Sequence, residues 1–467
     1  MIYGNDKHAK FLNRWPKSHA TFSNQADLSR RRFFEVLGAG VTGSYLMRPS
    51  NVYAADTAPR AALQNKAKAC IFILMTGAPS HTDTFDLKMV NGVTPTKFAP
   101  AAMNGIFWPQ GLLPTIGGQL SKLAIVRSMH AHALVHNLAQ TWTQIGRSPA
   151  AALGDVAPNV GSVVAVEKAN ERTVNQVFPT FLALNAGSAI GPGYLSANYA
   201  PFKVVPATTG LANTTNTDGQ ARLDGRLKFL HSIDDNLRVN SPLGKAPQDY
   251  DAFYSAARGM MYNPSVTSAF SYTAADSARY GNSGFGNACL VAKQVLAANG
   301  GTRFIQINLG NWDMHNDIYG AQTPTGNNLF TLGKQFDSGA GTLLADLETS
   351  GLLKDTLVVM VGEFGRTVGQ LSGSGGRDHW LQQFAAFAGA GVKGGRTIGS
   401  TKPDGSDTVD YGWKYNRYFW PEDLQATVYS AMGIDYTKQV DTPFGRTFEY
   451  IPNAGDGAYA PMDELWA

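Results

Sequence analysis

Short runs of consecutive apolar residues recur along the chain and predict buried strands. They are rich in β-branched residues and do not alternate with polar positions, which is typical of strands covered on both faces. The runs occupy residues 70–75, 123–129, 180–184, 304–309, 357–361 and 384–389. Helical patterns separate several of them, at 158–168, at 274–298, around Phe336, Ala340 and Leu347, and at 421–432. This alternation predicts an α/β fold with a mainly parallel sheet and helices on both faces.

Polar side chains follow the run at 357–361. These residues are Glu363, Arg366, Arg377, Asp378 and His379, with a Gly/Ser-rich segment between the two arginines. Ligands of open parallel sheets bind just beyond the carboxyl ends of the strands. The loop is therefore a candidate site. An ordinary solvated loop is the alternative, and the choice depends on whether other strands end in the same way.

The first run ends in a loop, residues 76–86, that is equally rich in polar groups. Its imidazole and carboxylates, on His81, Asp83 and Asp86, are ligand types that suit a divalent metal. Ser80 and Thr82 are possible nucleophiles in the same loop. A capping and turn cluster is the alternative, because Ser, Thr and Asp are common at helix starts. His81, however, is not needed for a cap.

Histidines cluster after the predicted strands. Asp313 and His315 follow the run at 304–309, and in extended backbone residues two apart point the same way and could bind one metal. His132 and His136 could chelate an ion from one helix face, or they could be surface histidines of a substrate loop. Six of the seven histidines beyond residue 54 follow a predicted strand, namely His81, His130, His132, His136, His315 and His379. This clustering favours a metal site.

The N-terminal segment is typical of an exported protein. Residues 29–34 read Ser-Arg-Arg-Arg-Phe-Phe and resemble a twin-arginine signal; a weakly apolar segment follows, and a small-residue cleavage site ends at Ala54. We therefore expect residues 1–54 to be a removed leader and the mature protein to be periplasmic or extracellular. A basic disordered tail is the alternative. No later segment is apolar enough to span a membrane.

Composition narrows the choice of partners. The 467-residue chain has a formal net charge of only +4, and the leader supplies several of the positive charges. No basic stripe is interleaved with aromatic residues, which argues against nucleic acid as a partner. The two cysteines, Cys70 and Cys289, are expected to be buried small hydrophobes rather than a disulfide. Residues 55–467 are expected to form one domain, in which 185–263, poor in periodicity, is a cap insertion.

Four segments together resemble a known family. They are residues 76–86 (Thr-Gly-Ala-Pro-Ser-His-Thr-Asp-Thr-Phe-Asp), 311–315 (Asn-Trp-Asp-Met-His), 362–367 (Gly-Glu-Phe-Gly-Arg-Thr) and 376–380 (Gly-Arg-Asp-His-Trp). In this order they resemble the exported bacterial family called domain of unknown function 1501, which is placed in the alkaline phosphatase-like superfamily and often labelled sulfatase-like. The resemblance implies a three-layer α/β/α sandwich, one or two divalent metals, and a hydroxyl nucleophile that attacks phosphorus or sulfur.

The chain departs from the superfamily pattern at several positions. Glu363 falls where the superfamily has the aspartate of an Asp-His pair, and Phe364 falls at the histidine. Thr76 stands near the place of a metal-binding aspartate. Asp313 and His315 resemble the Asp/His ligands, and the last histidine corresponds to His379. Neither cysteine has the sequence context of a formylglycine sulfatase.

Two functions follow from these observations. The first is an exported, metal-dependent hydrolase of phosphate or sulfate esters, acting on a small anionic ester or a sulfated or phosphorylated glycan. Its divalent metal (zinc, calcium, manganese or magnesium) is expected among His81, Asp83, Asp86, Asp313, His315, Glu363, Asp378 and His379. Arg366 or Arg377 would bind the oxyanion, and Ser80 or Thr82 would be the nucleophile. The second is a catalytically degenerate binding or assembly protein of the periplasm or cell surface. Under either function, the twin-arginine export machinery is an expected partner.

Overall fold

An eight-stranded sheet forms the centre of the chain. The computed structural model describes residues 62–237, 246–320, 327–443 and 445–467, so the predicted leader lies outside the described residues. The strands of the sheet are β1 (Ala69–Met75), β2 (Leu123–His130), β3 (Phe181–Leu184), β4 (Phe202–Val204), β5 (Phe304–Asn308), β6 (Thr356–Gly362), β7 (Gln382–Ala388) and β8 (Arg396–Ile398). Short ribbons pair Ala101–Met103 with Ile106–Trp108, Gly365–Arg366 with His379–Trp380, Ser400–Thr401 with Thr408–Asp410, and Gln439–Asp441 with Thr447–Glu449.

The strand order in the sheet is β8-β2-β7-β6-β1-β5-β3-β4. β7 is antiparallel to both of its neighbours, and every other neighbouring pair is parallel. In the middle of the sheet, Ile71 of β1 lies between Ile305 of β5 and Val358 of β6. The carboxyl ends of β1, β2, β5 and β6 therefore share one edge of the sheet with the start of β7. We call this the carboxyl edge.

Helices cover both faces of the sheet. The α-helices of the described residues are α1 (Pro114–Gly117), α2 (His136–Ile145), α3 (Val160–Glu167), α4 (Gln220–Asp234), α5 (Ala246–Met260), α6 (Pro264–Phe270), α7 (Ala274–Arg279), α8 (Gly284–Ala297), α9 (Leu329–Thr349) and α10 (Pro421–Ala431). Short 3-10 helices occur at His81–Asp83, Thr96–Phe98, Leu120–Lys122, Ala169–Glu171, Ala197–Tyr199, Asp235–Leu237, Leu353–Asp355 and Asp463–Leu465.

Successive side chains of β1 enter two different cores, because residues of a strand alternate between the faces of its sheet. Ile71 and Ile73 pack on the face that α8 and α9 cover, whereas Phe72 packs on the face that α3 and α10 cover. All of β1 is buried. The predicted α/β fold with a mainly parallel sheet and helices on both faces is confirmed. Cys70 and Cys289 are buried free thiols that belong to the two different cores.

The strand predictions are confirmed to within about two residues, and the helical pattern over 274–298 corresponds to two helices, α7 and α8, rather than to one. The chain leaves the helical conformation between α7 and α8, where Gly281 and Asn282 have φ angles of 83° and 49°. Glycine and asparagine are the residues that most readily adopt this left-handed region. Ser283 then starts α8 by accepting a hydrogen bond from the backbone N–H of Gly286.

Two helices of 15 residues each, α4 and α5, lie in the region that lacks periodicity. The sequence gives little signal for α4 because this helix buries none of its residues and so needs no apolar stripe. Phe229–Asp251 belong to a unit separate from Val52–Lys228 and Ala252–Ala467. Within that unit, His231 Nδ1 lies 2.9 Å from Asp235 Oδ1. The assignment of 185–263 as a cap stays a prediction. Within the described ranges, no helix combines the length and apolarity needed to cross a membrane.

Candidate metal centre

Four side chains converge at the carboxyl edge. Asp313 and His315 lie on the loop after β5, and His379 lies just before β7. The fourth is His136, the first residue of α2, which follows β2. One potential ligand atom from each side chain lies within 4.8 Å of all the others. The structure thus brings together three residues of the predicted ligand set with His136, which the sequence offered only as a possible partner of His132.

The three Nε2 atoms surround one carboxylate oxygen. Asp313 Oδ1 lies 3.1 Å from His136 Nε2, 2.8 Å from His315 Nε2 and 3.6 Å from His379 Nε2. The side chains of Asp313 and His315 are 43% and 40% exposed, whereas those of His136 and His379 are 23% and 21% exposed. The cluster is therefore anchored on two half-buried imidazoles and open to solvent on the other side.

Hydrogen bonds at Nδ1 orient two of the imidazoles, those of His379 and His136. His379 Nδ1 lies 2.7 Å from the carbonyl oxygen of Leu134, which can only accept, so Nδ1 must carry the proton. His136 Nδ1 donates to Glu363 Oε1 over 2.8 Å. In the neutral form of each ring, the lone pair is then on Nε2 and faces the cluster. This arrangement is typical of metal-binding histidines, whose second nitrogen is held by a carbonyl or a carboxylate.

The environments of these two imidazoles differ in charge. Hydrogen bonding to Glu363 raises the pKa of His136 despite its partial burial, and the negative charges of Glu363 and Asp313 act in the same direction. Burial lowers the pKa of His379, with the positive charge of Arg366 adding to the effect. Burial also opposes ionisation of Asp313, but the hydrogen bond and the charge of Arg366 outweigh it and lower the pKa of Asp313 to about 2. The carboxylate is therefore ionised at neutral pH.

The donor set fits a divalent cation better than a network of hydrogen bonds. His315 Nε2 and His379 Nε2 are 3.0 Å apart, and the lone pair of His379 Nε2 faces this contact when the ring is neutral. His136 Nε2 is buried and lies 3.1 Å from Asp313 Oδ1, and with the ring proton on Nδ1 both of these atoms are acceptors. A cation that accepts lone pairs from the three nitrogens and from Asp313 satisfies all of these atoms together.

Arg366, predicted to bind an oxyanion, lies beneath the cluster with its side chain 1% exposed. Its Nε donates to the carbonyl of Ala78, and Nη1 reaches the carbonyl of Arg377 and His315 Nε2. Its Nη2 donates to the carbonyl of Gly77 and, over 2.6 Å, to Asp313 Oδ1. A guanidinium has five N–H donors, and here each has a protein partner. Arg366 therefore fixes the carboxylate of the cluster from below.

Arg377 and Asp83 form a buried ion pair away from the cluster. Arg377 Nε lies 2.7 Å from Asp83 Oδ2, and the side chains are 1% and 0% exposed. The remaining donors of Arg377 go to Asp83 Oδ1, the Tyr319 hydroxyl, and the carbonyls of Thr367 and Gly369. Burial opposes the charge of Arg377, but Asp83 outweighs it and raises the pKa of Arg377. The structure thus pairs a predicted ligand with a predicted oxyanion binder.

Other residues of the predicted site also have partners elsewhere. Asp86 lies 3.1 Å from both Lys88 and Arg127 and accepts a hydrogen bond from Thr401. His81 is fully buried; its Nε2 donates to the carbonyl of Gly405, and burial lowers its pKa. The structure does not bring these side chains to the cluster: His81 is buried in the 3-10 helix His81–Asp83, and Asp86 is buried in its ion pairs with Lys88 and Arg127.

The two hydroxyl groups predicted as nucleophiles are buried as well. Ser80 and Thr82 are each 2% exposed, and their side-chain oxygens lie 3.5 Å apart. The structure therefore leaves neither hydroxyl accessible to a substrate in solution.

Two predicted carboxylate ligands lie outside the cluster. Glu363 lies behind His136, and Asp378 lies at the exposed margin of the cluster, with its Oδ1 3.6 Å from His315 Nδ1.

Of the two alternatives for His132 and His136, the structure does not support a shared helix face, because α2 begins only at His136. His132 is instead stacked between Trp420 and Trp142, with ring centroids 4.2 and 4.6 Å away. Its Nε2 lies 3.0 Å from Glu422 Oε2. His136 is the one member of the cluster that the predicted ligand set lacked. Its signal in the sequence was its place after a strand, which it shared with His130 and His132.

Close backbone packing brings the loops together. Gly77 has a φ of 99°, and a Cβ atom there would lie 2.7 Å from the backbone nitrogens of Trp312 and Asp313. A Cβ atom on Gly376 would lie 2.0 Å from the backbone of His315. Since larger residues would collide with the ligand-bearing loop, glycine is required at both positions.

Comparisons with known proteins give a family and a set of distant structural neighbours. A comparison with curated proteins finds no match. Among solved structures, a lipoteichoic acid synthase from Listeria monocytogenes is 13% identical, with a TM-score of 0.36, over 85% of this chain and 78% of that chain. A sulfatase from Pseudoalteromonas sp. is 14% identical, with a TM-score of 0.38, over 79% and 68%. A protein in the alkaline phosphatase superfamily from Vibrio parahaemolyticus is 11% identical, with a TM-score of 0.36, over 88% and 76%.

The family match covers most of the chain. It extends over residues 67–455 and so includes all eight strands of the sheet and every residue of the cluster. The chain therefore belongs to the family described as protein of unknown function (DUF1501).

Proposed function

We propose that the protein binds a divalent transition metal through His136, Asp313, His315 and His379 and hydrolyses phosphate or sulfate esters at this centre. The observation that carries the proposal is the convergence of four ligand atoms within 4.8 Å. Three imidazoles and one carboxylate suit zinc and related metals, whereas calcium and magnesium prefer oxygen ligands. Of the metals predicted from the sequence, this donor set favours zinc.

The residues of the chain have separable tasks in this function. Leu134 and Glu363 hold the Nδ1 protons of His379 and His136, so that both Nε2 lone pairs face the centre. Arg366 holds Asp313 ionised and in place. A bound divalent ion supplies Lewis-acid stabilisation of the ester oxygen and lowers the pKa of a water molecule toward neutrality. The exposed sides of Asp313 and His315 leave room for an ester to approach.

The burial of Ser80 and Thr82 favours water over a protein hydroxyl as the nucleophile. Likewise, both candidate arginines are committed to protein partners, so neither guanidinium is free to bind the anionic ester. The same two observations support the second candidate function, a metal-binding protein without catalysis. The proposal also includes the substrate, a small anionic ester or a glycan carrying such esters, and its recognition by residues 185–263. It further includes export to the periplasm or cell exterior through the predicted leader.

Metal analysis tests the centre. We expect the mature protein to contain about one equivalent of zinc or a related metal, and His379→Ala and Asp313→Asn to lose it. His231→Ala, which removes an exposed imidazole outside the cluster, is the matched control. If the parent contains no metal and takes up none after incubation with zinc, cobalt or manganese, the proposal fails.

Ester hydrolysis separates the two functions. The metal-loaded parent should hydrolyse at least one class among aryl phosphates, phosphodiesters and sulfate esters, and Asp313→Asn should not. Ser80→Ala and Thr82→Ala should retain the activity, because neither hydroxyl is accessible. Metal binding without turnover on any class would leave the non-catalytic binding protein as the better account.

A further inference from the structure

One face of α2 carries a stripe of polar side chains that point into the protein. His136, Gln140 and Gln144 are spaced four residues apart, and residues at this spacing share a helix face. Gln144 is 1% exposed and also donates to the carbonyl oxygen of Gln140. A buried polar face is unusual for a helix that packs against a sheet, where an apolar face is expected. The hydrophobic effect therefore does not explain why these polar side chains face the interior.

The middle of the stripe holds the carboxylate behind the cluster. Glu363 Oε1 accepts three hydrogen bonds, from His136 Nδ1 at 2.8 Å, Gln140 Nε2 at 2.9 Å and the backbone N–H of Gly77 at 2.8 Å. The side chain of Glu363 is 0% exposed. A buried carboxylate is costly unless it is hydrogen-bonded, so these donors fix its position. One of these donors is a backbone N–H, and His136 belongs to the cluster. Gln140 is therefore the one side-chain donor of the three that lies outside the cluster.

The end of the stripe ties α2 to the strand that leads to Asp313 and His315. Gln144 Oε1 accepts from Gln306 Nε2 over 3.1 Å, and Gln306 lies in the middle of β5. Asn159 Nδ2 lies 3.1 Å from Gln306 Oε1 and 3.3 Å from Gln144 Oε1. Through this fully buried amide network, the helix that supplies one imidazole and the strand that leads to two other ligands share hydrogen bonds.

We infer that Gln140 is a positioning residue of the metal centre: it fixes Glu363, which fixes the ring of His136. The inference rests on the proposed function, because it concerns the same centre. Outer partners of metal ligands typically change metal affinity by 10- to 100-fold when they are removed. Gln140 should behave as such a partner although it touches no ligand atom.

The test compares two glutamines that stabilise the same helix. Gln140→Met keeps the side-chain volume but removes the donor to Glu363. Gln425→Met is the matched control, because Gln425 Nε2 donates to the carbonyl of Thr143 in α2 over 2.9 Å and has no contact with Glu363. The dissociation constant for Co²⁺ is measured by competition with a chromophoric chelator on the mature protein. The visible absorption of bound Co²⁺ reports its coordination.

We expect Gln140→Met to raise the Co²⁺ dissociation constant by about tenfold or more and to change the cobalt spectrum. Gln425→Met should leave both unchanged, whatever it does to the melting temperature. Equal binding and identical spectra for the parent and Gln140→Met would overturn the inference alone, as would equal weakening in both variants. A parent that binds no cobalt would overturn the proposed function and the inference with it. Should Gln140→Met fail to fold, Gln140→Asn, whose amide is one methylene too short, carries the same expectation.

Discussion

The buried pair of Asp83 and Arg377 gives the sharpest test of how the structure divides the polar residues of the carboxyl edge. The perturbation is Asp83→Asn, which keeps the shape of the side chain and removes its charge. If the pair is structural, the variant should lose stability and keep its metal. If Asp83 is a metal ligand, as the sequence suggests, the variant should lose metal.

The burial of the pair determines how much free energy of unfolding the variant is expected to lose. Both side chains are almost fully buried, and we expect Arg377 to keep its charge when its partner is removed, because a guanidinium group is very hard to deprotonate. Breaking a buried ion pair by removing one partner costs about 3–5 kcal/mol. Tyr319, whose hydroxyl donates to Asp83 over 2.6 Å, can still bond to the amide oxygen of asparagine, so we expect about 3 kcal/mol. For a domain of about 400 residues, an unfolding entropy of about 2 cal/mol/K per residue converts this loss into about 4 °C of melting temperature.

Denaturant unfolding, calorimetry and metal analysis of the same samples check the prediction. Asp456→Asn, at an exposed position, is the control and should change neither quantity. The double variant Asp83→Leu with Arg377→Met should recover part of the stability, because it leaves no unpaired buried charge. An Asp83→Asn protein that melts like the parent but has lost its metal would refute the structural assignment of the pair.

Three further predictions concern pH, backbone packing and export. Burial lowers the pKa of His130 to about 4 in the folded state. The unfolded chain takes up this proton near pH 6.5, so stability should fall as the pH drops from 6.5 to 4, by up to about 3 kcal/mol, and His130→Gln should flatten that part of a stability–pH profile. Gly376→Ala should weaken metal binding and stability because its Cβ collides with the backbone of His315, whereas Gly373→Ala, which meets nothing within 4 Å, should do neither. Replacing Arg30 and Arg31 by lysine should leave precursor in the cytoplasm, as fractionation and immunoblotting would show; normal export would refute the leader assignment.

Local pattern was sufficient to predict the elements of the sheet. The apolar runs that become β1 and β6 lie in the middle of the sheet, where both faces are covered, so nearly every residue had to be apolar. The placement of Asp313, His315 and His379 at one edge follows from the same argument, because parallel strands end on the same side. The sequence alone therefore determined the fold class, the edge that carries the site and three residues of the cluster.

Periodicity could not reveal elements that bury little. α4 was missed because none of its residues is buried, and the break between α7 and α8 was missed because both flanking segments have helical patterns. The direction of β7 was likewise hidden, since parallel and antiparallel strands in the interior of a sheet have the same apolar pattern. Such features depend on which neighbours a segment meets.

Only the tertiary structure decided which charged side chains meet. Asp83 and Asp313 look alike in the sequence, since each follows a strand and lies near a histidine. One is paired inside the protein with Arg377, and the other is held at the surface by Arg366. The two arginines differ in partner because the loops after β1, β5 and β6 cross at Gly77 and Gly376, where the absence of a side chain lets backbones touch. The sequence predicts that these groups lie near the same edge of the sheet. Which of them form the centre depends on contacts among three loops that are distant along the chain.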